Sequence, residues 1–122
     1  MRATETEIDI EMDLGDIVTR GEEWGGQLVR HITLPAGTDF TPLFHGLPGD
    51  LCQCPHWGYV VSGSMHLRYA DGTEEISRAG DLYYWPGGHT GWTHEGATFL
   101  EFSPAAELRP VLEHLAGQLA PS

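Results

Sequence analysis

Short runs of strand-forming residues alternate with glycine- and proline-rich breaks through the middle of the chain. Gln27–Leu34 is rich in β-branched and aliphatic residues and stops at Pro35-Ala36-Gly37. Trp57–Val61 ends at Ser62-Gly63, and Met65–Tyr69 ends at Ala70-Asp71-Gly72, a strong tight-turn signal. Glu74–Ser77 resumes after that turn, Leu82–Trp85 runs into Pro86-Gly87-Gly88, and Thr98–Phe102 closes the set. At least six short strands with no helix between them predict an all-β antiparallel sandwich or barrel. A parallel sheet needs crossover helices, and none fits here. Residues 1–12 alternate acidic with apolar or threonine side chains, as an edge strand or a frayed arm does.

The pattern changes once, near the end. Leu108, Val111, Leu112, Leu115 and Leu119 recur at mostly three- and four-residue steps, predicting a helix from about Ala105 to about Leu119. Ser103 suits its cap, Pro104 its first turn, and Glu107 the positive end of its dipole. Pro110 is expected to bend or delay it. The apolar stripe is expected to cover the outside of the sheet.

Composition narrows the functional classes. A chain of 122 residues fits one domain. Its net charge of -12 argues against nucleic acid or an anionic membrane as partner. All six basic residues are arginine, so no lysine is present to form a Schiff base. No apolar run approaches the ~20 residues that span a bilayer. Met1–Asp13 is acidic rather than basic and apolar, so a cytoplasmic protein is expected. Cys52 and Cys54 are too closely spaced on an extended strand for a good disulfide. They read as free thiols, as metal ligands, or as small buried apolar residues.

His56-Trp57-Gly58-Tyr59-Val60-Val61-Ser62-Gly63, followed by Gly80-Asp81-Leu82-Tyr83-Tyr84-Trp85-Pro86-Gly87-Gly88, resembles the two motifs of the cupin superfamily. Gly63 matches the last glycine of the first motif, and Gly80, Pro86 and Gly88 match the skeleton of the second. The resemblance covers about residues 27–102. It implies a small jelly-roll β-barrel followed by the helix, a single domain over 1–122, and a homodimer. The metal ligands depart from the family pattern. The family's glutamate position holds His56, and its two histidines fall on Asp50 and Cys52 or on Gly49 and Leu51, depending on spacing. The second-motif histidine and asparagine positions hold Gly91 and Glu95.

A different donor set takes shape around the same motifs. Cys52, Cys54 and His56 form a C-x-C-x-H string, and His89 follows the Pro-Gly-Gly turn. Cys, His and Asp hold zinc, iron or nickel. Candidate ligands are therefore His56 and His89, then Cys52, Cys54 and Asp50, with His94 further off. On a straight strand Cys52 and His56 lie ~13 Å apart, so sharing an ion needs a bend, which Pro55 supplies. A metal-free core of hydrogen-bonded imidazoles is the alternative. His31, His45 and His66 read as surface or structural, and His114 as solvent-facing on the helix.

Aromatic residues cluster at the motifs, with Tyr83 and Trp85 on one strand face and Tyr84 on the other. Tyr59, Trp85 and Trp92 are candidate substrate contacts, since small-molecule sites are mostly apolar and aromatic. Arg30 or Arg68 in the barrel would favour an anionic substrate. Two functions follow. One is a metal-dependent cupin enzyme acting on a small organic molecule, with a metal-free variant in which His56 or His89 is the base. The other is a non-catalytic ligand-binding or sensory module. The fold does not choose the reaction.

Overall fold

The computed structural model describes residues 1–13 and 15–119. Among the described residues, eight strands precede one α-helix: β1 (Ile10–Asp13), β2 (Val18–Trp24), β3 (Gln27–Leu34), β4 (His56–Tyr69), β5 (Glu74–Arg78), β6 (Leu82–Trp85), β7 (His89–Trp92), β8 (Ala97–Pro104) and α1 (Ala105–Leu119). All pairings are antiparallel, in the order β1-β2-β3-β8-β4-β5, with β6 and β7 also on β4. The result is a jelly-roll barrel. The opening residues supply an edge strand, β1, behind a short 3-10 turn at Glu5–Glu7.

One expected boundary is absent. Trp57–Val61 and Met65–Tyr69 belong to a single 14-residue strand, β4. The register against β8 shifts between Val60 and Ser62, a β-bulge that leaves Val61 as the extra residue, and Gly63 two residues on takes a φ of +73°. The first half of β4 pairs with β6 and β8, and the second half with β5 and β7. A glycine that reads as a turn thus carries one strand from one sheet into the other. Two strands escape the sequence pattern, β2 and β7. The second is the four residues His89–Trp92, directly after a turn signal and with a glycine inside.

The strands alternate as period-2 burial requires. Leu28, Arg30, Ile32 and Leu34 of β3 point inward, as do Ala97, Phe99, Glu101 and Ser103 of β8. Tyr83 and Trp85 are buried and Tyr84 is exposed, as expected. One core fills the barrel around Ile32, Val60, Leu67, Trp85 and Phe99. A second joins α1 to the barrel through Leu108, Val111 and Leu115, packed with Phe44 and both cysteines.

The helix has the expected span, with two differences. Ser103 is a fully buried β8 residue whose hydroxyl bonds His56, so it does not cap the helix. Pro110 lies inside α1, and the helix continues through it. His114 is not simply solvated, because its Nε2 lies 2.8 Å from the His45 carbonyl and ties α1 to the preceding loop.

Candidate functional site

Three chain segments bring three donors together. Cys52 sits in the loop before β4, His56 opens β4, and His89 opens β7. The chain turns at Cys54-Pro55, which folds Cys52 back so that its Sγ lies 3.5 Å from His56 Nε2. Cys52 and His89 form an isolated antiparallel bridge, with Cys52 N–H donating to the His89 carbonyl at 2.9 Å. The two imidazole centroids are 5.0 Å apart. One ligand atom from each of Cys52, His56 and His89 lies within 4.8 Å of the others, and all three residues are buried.

The other expected ligands fall elsewhere. Cys54 is buried, but its thiol turns toward the Pro55 carbonyl within the core under α1. Asp50 is exposed and accepts from the Gly46 amide. His94 is exposed and packs on His66. Of the candidate substrate contacts, Trp85 lines the cavity beside the donors. Tyr59 is on the outside of the barrel. Trp92 stacks on His66, with the Arg68 guanidinium over its ring. Residue type alone finds such side chains, but their face depends on the strand register, which shifts between Val60 and Ser62.

Sequence reading missed Glu101 and Ser103. The β3–β8 register sets Arg30 opposite Glu101, and both are inward. Arg30 Nη1 donates to Glu101 at 2.5 Å, and its Nε donates to Glu11 at 3.0 Å. Glu11 reaches Arg30 across Gly21, where a Cβ would lie 2.5 Å from the carboxyl carbon. The other Glu101 oxygen is 3.6 Å from His56 Nδ1, which also lies 2.6 Å from the Ser103 hydroxyl. Period-2 alternation from Phe99 was the available signal for both residues.

Electrostatics follow from burial. Burial lowers the His56 pKa to about 4 and outweighs the nearby Glu101, so the ring is neutral. His89 is lowered too, again chiefly by burial. Burial pushes the Cys52 thiol up to about 12. Burial also opposes the Glu101 charge, but His56 and Arg30 reverse this and hold the carboxyl below its ordinary range.

This donor set fits a divalent cation. His89 Nδ1, 2.8 Å from the Pro86 carbonyl, donates there and leaves the Nε2 lone pair free. Glu101 beside His56 Nδ1 favours the tautomer with its proton there, again freeing Nε2. Thiolate and imidazole suit zinc, iron or nickel. Three protein ligands rather than four characterise sites that keep a position for substrate.

The donors face a cavity of about 80 Å³ between the barrel interior and α1. Its walls include Ile32, Met65, Trp85, Phe99, Leu108 and Val111.

No family model and no curated protein matches the sequence. Solved structures do match. An RmlC-like cupin from Shewanella frigidimarina is 21% identical with a TM-score of 0.59, over 84% of this chain and 89% of that one. A protein of unknown function from Rhizobium leguminosarum is 17% identical with a TM-score of 0.63, over 84% and 94%. A mutant of Bacillus subtilis oxalate decarboxylase is 19% identical with a TM-score of 0.59, over 84% of this chain and 28% of that one. The fold is a cupin-type jelly-roll barrel. In this chain the clustered donors are Cys52, His56 and His89, whereas the motif pattern that the sequence resembles has three histidines and a glutamate.

Proposed function

We propose that the protein is a small metal-dependent cupin enzyme acting on a small organic molecule, with Cys52, His56 and His89 holding one divalent ion. The convergence of those three buried donors on one point carries the reading. A bound ion would supply Lewis acidity toward a polar group of the substrate. The chain's own residues do the rest. Glu101 and Ser103 orient His56, the Pro86 carbonyl orients His89, and the apolar wall excludes water. A metal-free ligand-binding or sensory module is the second reading, favoured by the direct Cys52–His56 contact, which partners thiol and imidazole without an ion.

Metal content decides between them. The purified protein should retain one ion per chain, and cobalt(II) should give a thiolate charge-transfer band. Cys52→Ser should abolish the band and weaken binding at least ~10-fold, whereas Cys54→Ser should leave both unchanged. No binding at micromolar zinc or cobalt would make the protein a metal-free module.

Two copies are proposed to pair through the outer face of β8, β4 and β6. Trp57, Tyr59, Val61, Leu82, Tyr84 and Phe102 are all exposed there. None carries a charge, so this face lets two strongly acidic chains approach.

A further inference from the structure

A charged side chain reaches toward the donor cluster from the edge of the barrel. Glu11 belongs to the edge strand β1, and three features of the chain aim it inward. The β1–β2 register shifts between Ile10 and Met12, so Glu11 is the extra residue of a bulge, a device that re-aims a side chain. Its carboxylate lies over Gly21 of β2, where a Cβ would sit 2.5 Å from the carboxyl carbon. Gly21 does not take the left-handed backbone that calls for glycine, so its missing side chain answers to the space Glu11 fills. Finally, Glu11 Oε1 accepts from Arg30 Nε at 3.0 Å, while Arg30 Nη1 donates to Glu101 Oε2 at 2.5 Å.

Arg30 is therefore shared between two carboxylates. An arginine beside a single carboxylate tends to give it two parallel N–H bonds. Glu11 takes the Nε and holds Arg30 to one bond on Glu101, whose Oε1 stays 3.6 Å from His56 Nδ1. The Ser103 hydroxyl, 2.6 Å from the same nitrogen, can accept its proton or donate to it. A carboxylate oxygen close by favours the proton on Nδ1, which leaves the Nε2 lone pair beside Cys52 Sγ at 3.5 Å.

We propose that Glu11 is a positioning residue for the His56 donor: by occupying Arg30 Nε it keeps one Glu101 oxygen beside His56 Nδ1, and so fixes the tautomer that presents Nε2 to Cys52 and His89. This rests on the reading above only in assigning an ion to that lone pair; the tautomer is set without one.

The test uses the full chain, first after chelation and then with cobalt(II). At about pH 8, where an ordinary imidazole is neutral, the nitrogen chemical shifts of the His56 ring report which atom carries the proton. Wild type should carry it on Nδ1. Glu11→Ala should free Arg30 to take both Glu101 oxygens and move His56 toward the tautomer protonated on Nε2. Gly21→Ala, which keeps Glu11 but fills its place, should do the same. Glu11→Gln retains an acceptor oxygen for Arg30 Nε and should restore the wild-type shifts. A merely structural part for Glu11 would lower the melting temperature without moving them. Cobalt should bind Glu11→Ala ~10-fold more weakly than wild type, and Glu11→Gln should recover most of that loss. A wild-type proton on Nε2, unmoved ring shifts in Glu11→Ala, no recovery in Glu11→Gln, or equal cobalt affinity in wild type and Glu11→Ala would each overturn the proposal. Failure of the metal reading shows separately, as no cobalt bound by wild type while the ring shifts respond as expected.

Discussion

Arg30, Glu101 and His56 show how much of a site depends on side chains that touch no ligand. Glu101 faces a guanidinium on one side and an imidazole on the other, all buried. Glu101→Gln would leave Arg30 with only Glu11 and His56 without a carboxylate at Nδ1. Breaking a buried pair from one side costs ~3–5 kcal/mol, so a melting temperature lowered by several degrees or more is expected. Acid should act in the same direction. The His56 pKa is about 4 in the folded protein against an ordinary 6.5, so between these values the unfolded chain binds more protons. Stability of the metal-free protein is therefore fully present above pH 6.5 and falls as pH drops toward 4, by ~3 kcal/mol for this group. Glu101, held below its ordinary range, adds a further loss at still lower pH. Urea midpoints across pH 4–7 measure this, and a flat profile would refute it.

At the scale of elements, the sequence disclosed composition and period better than connection. The leucine stripe gave α1 its bounds, because packing on a barrel enforces a helical period over four turns. The continuity of β4 was not legible, because Ser62-Gly63 has the chemistry of a turn and only the long-range pairing with β8 carries the strand through it, past a bulge at Val61. The short strand β7 offered too few residues for a period. At the site, residue types pointed to His56, His89 and Cys52, but Cys54 and Asp50 have the same chemistry and differ only in where the loop sends them. Glu101 read as an ordinary charged strand residue until its register with Arg30 was set. Gly58 gives an element-scale test. A Cβ there would lie 1.9 Å from the Leu100 carbonyl and 2.5 Å from the Tyr83 hydroxyl, whose own hydrogen bond to Leu100 spans 2.7 Å. Gly58→Ala should destabilise by about 2–3 kcal/mol through overpacking, read as a shift in the denaturation midpoint with the m-value unchanged.

The whole molecule combines a net charge of -12 with an uncharged aromatic face. Dimerisation through that face should strengthen with salt, which screens repulsion between the acidic chains. Light scattering is expected to report a dimer at micromolar concentration in 0.15 M salt, and Tyr59→Asp with Trp57→Asp a folded monomer; an unchanged dimer would place the interface elsewhere. No described helix is long and apolar enough to cross a membrane. The bridge between Cys52 and His89 has one more consequence, which shows in time rather than in distance. Cys52 N–H is given to His89, while the Gly88 and His89 amides both return to the Cys52 carbonyl, at 2.8 Å and 3.2 Å. Amide protons in a connecting loop ordinarily exchange with solvent within seconds to minutes of local fraying. These three are tied to a strand of the barrel and shielded by the core beneath α1, so they open only when that core opens. The loop before β4 therefore keeps the clock of the barrel, and the donor it carries is in place before anything enters the cavity.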